Sequence, residues 1–143
     1  MIKIGKHCII AEDTEIGDGT IIMNYVEIRE GVKIGKNCYI DSRVTFTGNA
    51  TVEDGVTIRN NCVIARGCYI GENTFISPQV MFQNLDTKKE KIGGARIGFD
   101  CFIGTNVTFK EGIIVGDKVV IGSKSYVNKN LLEEGTYIGT KKI

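Results

Sequence analysis

Residues 34–76 read IGKNCYIDSRVTFTGNATVEDGVTIRNNCVIARGCYIGENTFI. Every sixth residue from Ile34 is apolar: Ile40, Phe46, Val52, Ile58, Ile64, Ile70 and Ile76. Extended outward, the series takes in Ile4, Ile10, Ile16, Ile22, Ile28 and Phe82. It breaks once, then resumes at Ile97, Ile103, Phe109, Val115, Ile121 and Val127, which makes twenty hexads. A period of six is neither the 3.6 of a helix nor the plain alternation of a long strand. It fits a short strand followed by a turn, repeated. Strand alternation points the first and fifth positions of each hexad to the same side, inward. The fifth position is accordingly small or β-branched, as at Thr20, Val26, Val44, Ala50 and Val80. The fourth is mostly Gly, Asn or Asp, the residues that accept a left-handed backbone.

Three strands and three turns close one triangular coil of eighteen residues. Stacked coils bury their apolar residues only against neighbouring coils, so the expected fold is all-β, a parallel β-helix. The 143 residues carry 42% apolar and 24% charged side chains and a net charge of +1. That composition is globular and gives no electrostatic case for nucleic acid or an acidic membrane. No apolar run approaches the ~18 residues of a membrane span, so neither a span nor a signal peptide is expected. The expectation is a single domain, 1–143, in the cytoplasm.

All five cysteines, Cys8, Cys38, Cys62, Cys68 and Cys101, fall on the small inward fifth position. They read as free packing residues. His7 is the only histidine and lies on a turn of the first coil. A histidine-based nucleophile pair near the interruption and a three-histidine zinc site are therefore excluded, and no metal is expected.

The one interruption runs from Phe82 to Ile97, fifteen residues where six belong. Nine extra residues leave the coil as a loop insertion at 83–95, ending in the hinge Gly93-Gly94. A rigid scaffold carries its chemistry on such a protrusion. One outer face shows Ile21, Met23, Tyr39, Thr57, Phe75, Phe102 and Val120, an apolar stripe along the prism. The stripe suits a homotrimer packed about a parallel axis, with the loop closing over a groove between subunits.

The hexads resemble those of the hexapeptide-repeat acyltransferases, which are left-handed β-helices, and the resemblance covers nearly the whole chain. The stretch Ile97-Gly98-Phe99-Asp100-Cys101-Phe102-Ile103-Gly104-Thr105-Asn106 is similar to the coil after the active-site loop in that family. Ile121-Gly122-Ser123-Lys124-Ser125-Tyr126-Val127 and the tail Tyr137-Ile138-Gly139-Thr140-Lys141-Lys142 resemble its acetyl-CoA-binding end. The family tail usually reads Gly-Asn-Pro-Ala-Lys. Val80-Met81-Phe82-Gln83-Asn84 resembles a segment of the members that N-acetylate amino groups of nucleotide-linked sugars. Their Pro-Arg pair later in the loop is absent here, and this loop is shorter.

The resemblance implies acetyl-CoA as cosubstrate, held along Gly104 and Gly122 with Lys124 and Lys141 at the phosphates. It implies a sugar acceptor contacted by Gln83 and Arg66. Many members carry a loop histidine; this chain has Gln83-Asn84 instead. A neutral amine attacks a thioester without a strong base, whereas a hydroxyl needs one, so an amine acceptor is favoured. Asn84 would orient it, Asp86 is the second candidate proton acceptor, and backbone N–H groups of the coil after the loop would hold the developing oxyanion. Two other readings stand beside this one. The first is an O-acetyltransferase using Asp86 or Glu90 as base. The second is a non-catalytic assembly module.

Overall fold

The computed structural model describes residues 1–90 and 92–143. Each hexad becomes a two-residue strand and a turn. β1 (Lys3–Ile4), β2 (Ile9–Ile10) and β3 (Glu15–Ile16) start three faces, here A, B and C. Each later coil adds one strand per face, giving sheets of nine, seven and six strands, parallel throughout except for the last strand of the nine-stranded sheet. The register advances eighteen residues per coil, as in Tyr39↔Thr57↔Phe75, and then jumps from Phe75 to Phe102 across the insertion. Every regular element among the described residues is a strand, and the solenoid has about seven coils, as a left-handed β-helix of hexads requires. No helix among the described residues is long and apolar enough to cross a membrane.

The first and fifth positions fill the interior. Ile40, Ile58, Ile70, Ile76, Val44, Val80 and Cys62 are fully buried, and Phe82 stacks on Phe109 with centroids 4.7 Å apart. The five thiols are free. Four of them also tie coils together. Cys8, Cys38, Cys62 and Cys101 donate their S–H to the carbonyls of Met23, Glu53, Ser77 and Gly116, at 3.0–3.1 Å. Burial pushes the Cys62 thiol up to about 11 and the Cys68 thiol up to about 12.

The corners hold one departure from the hexad reading. The left-handed conformation at the fourth position is not reserved for Gly, Asn and Asp: His7, Tyr25, Arg43, Gln79, Lys118 and Lys124 adopt it too. Each such residue costs roughly 1 kcal/mol. The corner ladder offsets that cost, because the amides of Tyr25, Arg43 and Lys124 donate to the carbonyls of Lys6, Asn24 and Thr105 at 2.8–3.0 Å. Stacking of coils sets the turn, and the side chain follows.

Beyond Val127 the hexads end. Leu131 bridges to Val115, and an antiparallel hairpin, Gly135–Ile138 with Lys141–Lys142, covers the last coil on face A.

Candidate active site at the loop corner

The chain leaves the coil at the corner between faces B and C. The strand Met81–Phe82 ends there, and Arg96–Ile97 begins the next strand. Gln83 still keeps the ladder, its N–H donating to Phe109 O at 3.0 Å. Asn84 then closes the neck: its carbonyl accepts from Ile92 N at 3.0 Å and Gly93 N at 3.2 Å. Gly93-Gly94 restores the corner. Gly94 N donates to Arg66 O, and Gly112 N donates to Gly93 O. A Cβ on Gly94 would lie 2.3 Å from Cys68 Sγ, so glycine is required for the chain to settle back onto the coil.

Inside the neck, Asp86 organises the loop. Its Oδ1 accepts from Lys88 N at 2.9 Å and Glu90 N at 2.8 Å, and its amide and carbonyl bond Glu90 O and Lys89 N. This is an Asx turn, with Lys89 in the left-handed region. One carboxylate oxygen is thus already occupied by two amides.

Against the loop lies a groove of about 360 Å³ lined by Gln83, Leu85, Asp86, Thr87, Lys110, Glu111 and Tyr126. It brings together two of the residues expected from sequence, Gln83 and Asp86. It also adds three that were not expected: Lys110, Glu111 and Tyr126. Tyr126 stands on the outer side of face B, in line with Met81 and Thr108. Half-buried Asn84 forms the floor of the neck rather than a wall of this groove.

On the other side of the loop, on face C, lies a larger groove of about 430 Å³ that includes Tyr69, Glu72, Arg96, Phe99, Ile114 and Asp117. The Arg96 guanidinium sits 4.0 Å above the Tyr69 ring. Partial burial, with the Glu53 carboxylate next, pushes the Tyr69 hydroxyl above its ordinary value. Arg96 follows the hinge directly, so the loop separates the two grooves.

Arg66 is held below the loop. Its Nη2 pairs with Glu30 at 2.6 Å and donates to Thr47 O at 3.1 Å. That pairing is the main reason the Glu30 carboxyl lies below its usual value. Gly48, one coil down, makes room: a Cβ there would lie 2.5 Å from Nη2.

The residues expected at the cofactor lie on a different corner, between faces A and B. Gly104 and Gly122 stack there one coil apart, with Lys124 exposed beside them. Ser125 links Gly122 to the terminal hairpin, since its Oγ donates to Gly122 O at 2.7 Å and accepts from Gly139 N at 2.8 Å. Lys141 is exposed on that hairpin, and Lys142 pairs with Glu133. Gly104 is glycine for an internal reason: a Cβ would lie 2.6 Å from Ser123 N. Gly122 has no such constraint, with its nearest neighbours 3.5 Å away. Its edge is open.

The backbone donors expected after the loop are engaged. The N–H groups of Arg96, Gly98, Phe99, Asp100 and Cys101 donate to Ile113 O, Val115 O, Asp117 Oδ1, Glu72 O and Thr74 Oγ1. These five amides are therefore occupied within the coil. Among the described residues, no three His, Cys, Asp or Glu side chains cluster as metal ligands.

Comparison with known proteins places this geometry in a family. The family model for the GMPPB C-terminal domain matches residues 26–140. Among curated relatives, the bifunctional protein GlmU of Aquifex aeolicus is 30% identical over 131 residues, which cover 92% of this chain and 22% of that protein. GlmU of Anaplasma marginale is 25% identical over 90% of this chain and 25% of its own. The chain thus spans about a quarter of the length of the relatives it matches.

Solved structures share the fold. PerB from Caulobacter crescentus, crystallised with CoA and GDP-perosamine, aligns over 99% of this chain and 57% of its own, with 16% identity and a TM-score of 0.67. The UDP-N-acetylglucosamine acyltransferase of Francisella novicida aligns over 87% of this chain and 56% of its own, with 20% identity and a TM-score of 0.66. The polysialic acid O-acetyltransferase OatWY aligns over 99% and 87%, with 17% identity and a TM-score of 0.54.

Proposed function

Because the chain belongs to the GMPPB C-terminal domain family, we propose that it is an acyltransferase that moves an acetyl group from acetyl-CoA to an amino group of a sugar, nucleotide-linked in the simplest case. The observation that carries the reading is the loop corner: one insertion, closed at the neck by Asn84 and internally bonded through Asp86, walls a groove on an otherwise uninterrupted solenoid.

Acetyl-CoA, when bound, supplies an activated thioester. The open edge at Gly122, with Lys124 beside it and Lys141 on the hairpin above, fits the nucleotide end of such a ligand. Face B runs from that corner to the loop corner, and Tyr126 stands on it between the two. At the neck of the loop, beside rather than within the groove, the Asn84 side-chain oxygen accepts a hydrogen bond from the acceptor amine and fixes the direction of its lone pair. Lys110 and Tyr126 supply donors to negative charge developing at the reacting carbonyl. Gln83 contacts the sugar. Arg66 acts from beneath by holding the corner through Glu30 and the Arg66 carbonyl–Gly94 bond.

An amine acceptor needs no base from Asp86, one of whose carboxylate oxygens already accepts from two loop amides. The stripe on face A, where Phe75 stacks on Phe102 at 5.3 Å and Phe102 is 45% exposed, supports association into a trimer that sets the two corners of neighbouring subunits together.

The test is an acceptor screen with calorimetry. Wild type should bind CoA and acetylate an amino sugar or its nucleotide-linked form. Asn84→Ala should lower kcat/KM about 10- to 100-fold, the equivalent of about 1–3 kcal/mol, with CoA affinity unchanged. No CoA binding by wild type would leave the chain an assembly module. Full activity in Asn84→Ala with loss in Asp86→Asn would make the loop acid the base.

A further inference from the structure

The groove of about 430 Å³ on face C has no part in the chemistry described at the loop. Its form follows from the hexads. Each coil sets one outward side chain just before the inward residue of its strand and another at the corner that follows. Tyr69 and Arg96, register partners in successive coils, make one wall, and Glu72 and Phe99 make the other. Between the walls stand Gly71 and Gly98. A Cβ on either would strike the next coil, 2.5 Å from Gly98 C in the first case and 2.3 Å from Asp117 Oδ1 in the second. The floor therefore has no side chains, and the groove is a trough of bare backbone between two rows of side chains.

The two walls carry opposite charges that do not meet. The Arg96 guanidinium lies over the Tyr69 ring, 4.0 Å from its centroid. The ring holds the cation by its face, and among the described residues no carboxylate or carbonyl takes up its N–H fork. Glu72 lies across the floor in the coil of Tyr69, and its carboxylate likewise has no partner among the described residues. Asp117 differs, because its Oδ1 accepts from Phe99 N at 3.1 Å and belongs to the corner. Phe99, one coil above Glu72 on the same wall, is 43% exposed. An unspent donor fork and an unspent carboxylate on opposite walls are bridged by a ligand with acceptors on one edge and donors on the other.

That requirement selects among ligands. A phosphate is all acceptor and would face the Glu72 carboxylate. Guanine has two acceptors side by side, O6 and N7, which match a guanidinium fork. Its opposite edge has two donors side by side, N1–H and the 2-amino group, which match a carboxylate. Adenine turns its 6-amino donor toward the fork beside N7. Uracil offers the carboxylate a single N–H. A planar base also needs a surface to stack on, and the exposed Phe99 ring supplies one.

We propose that the face C trough binds the base of a guanine nucleotide, with Arg96 on O6 and N7, Glu72 on N1–H and the 2-amino group, and Phe99 against the ring. The inference rests on the nucleotide-linked acceptor of the proposed function and specifies its base. Arg96 follows the Gly93-Gly94 hinge, and a Cβ on Gly93 would meet nothing within 4 Å, so the space over the hinge is open to the phosphates on their way to the loop groove. The trough lies on face C and leaves the apolar stripe of face A to the trimer.

The experiment is calorimetric titration of the full chain and two variants with GDP, IDP, XDP, ADP and UDP, without CoA or acceptor, and with circular dichroism to verify each fold. Wild type should bind GDP about tenfold or more tightly than ADP or UDP, the discrimination of one bidentate pair. It should also prefer GDP to IDP, which lacks the 2-amino group. Arg96→Lys keeps the charge but loses the fork, and should weaken GDP about tenfold. Glu72→Gln presents an amide N–H in place of a carboxylate oxygen, and should turn the preference from GDP to XDP, whose C2 oxygen accepts it. No GDP binding by wild type, equal affinity for GDP, ADP and UDP, unchanged GDP affinity in Arg96→Lys, or a Glu72→Gln variant that still prefers GDP would each overturn the proposal. CoA binding and amine acetylation are read separately. A chain that acetylates with no base preference loses this inference alone, and one that binds GDP but not CoA loses the acetyltransferase reading alone.

Discussion

Gly104 and Gly122 are the same kind of residue at the same place in successive coils, yet alanine should act oppositely at the two. At Gly104 the added methyl meets backbone: Ser123 N at 2.6 Å, Ile121 O at 2.7 Å and Gly122 C at 2.9 Å. Ordinary contacts begin near 3.4 Å, and neither partner can rotate away, because Gly104 N is bonded to Ile121 O at 2.8 Å. The two coils must part locally. Overpacking of this kind costs about 1–3 kcal/mol. For a domain of this size that corresponds to a fall in Tm of roughly 3–10 °C. Each coil touches only its neighbours, so the damage stays between the stacked hexads 103–108 and 121–126. At Gly122 the methyl finds Ile138 Cγ1 and Tyr137 O, both at 3.5 Å, and its backbone is not left-handed. There Gly→Ala removes freedom from the unfolded chain and should leave Tm unchanged or slightly raised. Differential scanning calorimetry on the two single variants measures this difference. Equal melting of Gly104→Ala and wild type would refute the stacking argument. Calorimetric titration with CoA then isolates the functional part: Gly122→Ala should bind at least tenfold more weakly while folding normally. Wild-type CoA affinity in that variant would remove the open edge as the ligand's path.

Two further outcomes follow from the loop and the core. Asp86→Ala should speed tryptic cleavage after Lys88 and Lys89 severalfold without lowering the global Tm, because it deletes two turn-closing bonds at 2.8–2.9 Å in a segment outside the coil; cleavage at the wild-type rate would show that Asp86 does not hold the loop. Native Cys62 and Cys68 should resist thiol reagents, and stability should fall as pH rises above about 9: unfolded thiols then ionise while the native ones keep their protons to about 11 and about 12, so the unfolded state binds fewer protons. Denaturant midpoints that stay flat from pH 8 to 10.5 would contradict that burial.

The solenoid is legible because its rule is local and repeated: an apolar residue every six, a small one four places later. The same rule hides its exceptions. Tyr25 and Lys124 take the left-handed turn against their own preference, since the amide ladder beneath them decides the backbone and no single hexad encodes a ladder. The place of the loop is equally legible, as the only break in the count. Its neighbours are not visible by adjacency, yet they follow from arithmetic across coils. Adding twenty-seven to Gln83 reaches Lys110, and adding eighteen to Thr108 reaches Tyr126; the structure places both in the groove with Gln83.

Steps of eighteen also account for Arg66. Glu30, Gly48 and Arg66 form one column: the acid lies two coils below the arginine, and the glycine between leaves the guanidinium a path down to it. A lone arginine beside a loop reads as a substrate contact, and only its column shows that the charge is already matched. In a solenoid, the informative neighbours of a residue are therefore those one and two coils away. A side chain is available for chemistry when its column leaves it unmatched, as the columns of Lys110 and Tyr126 do among the described residues at this corner.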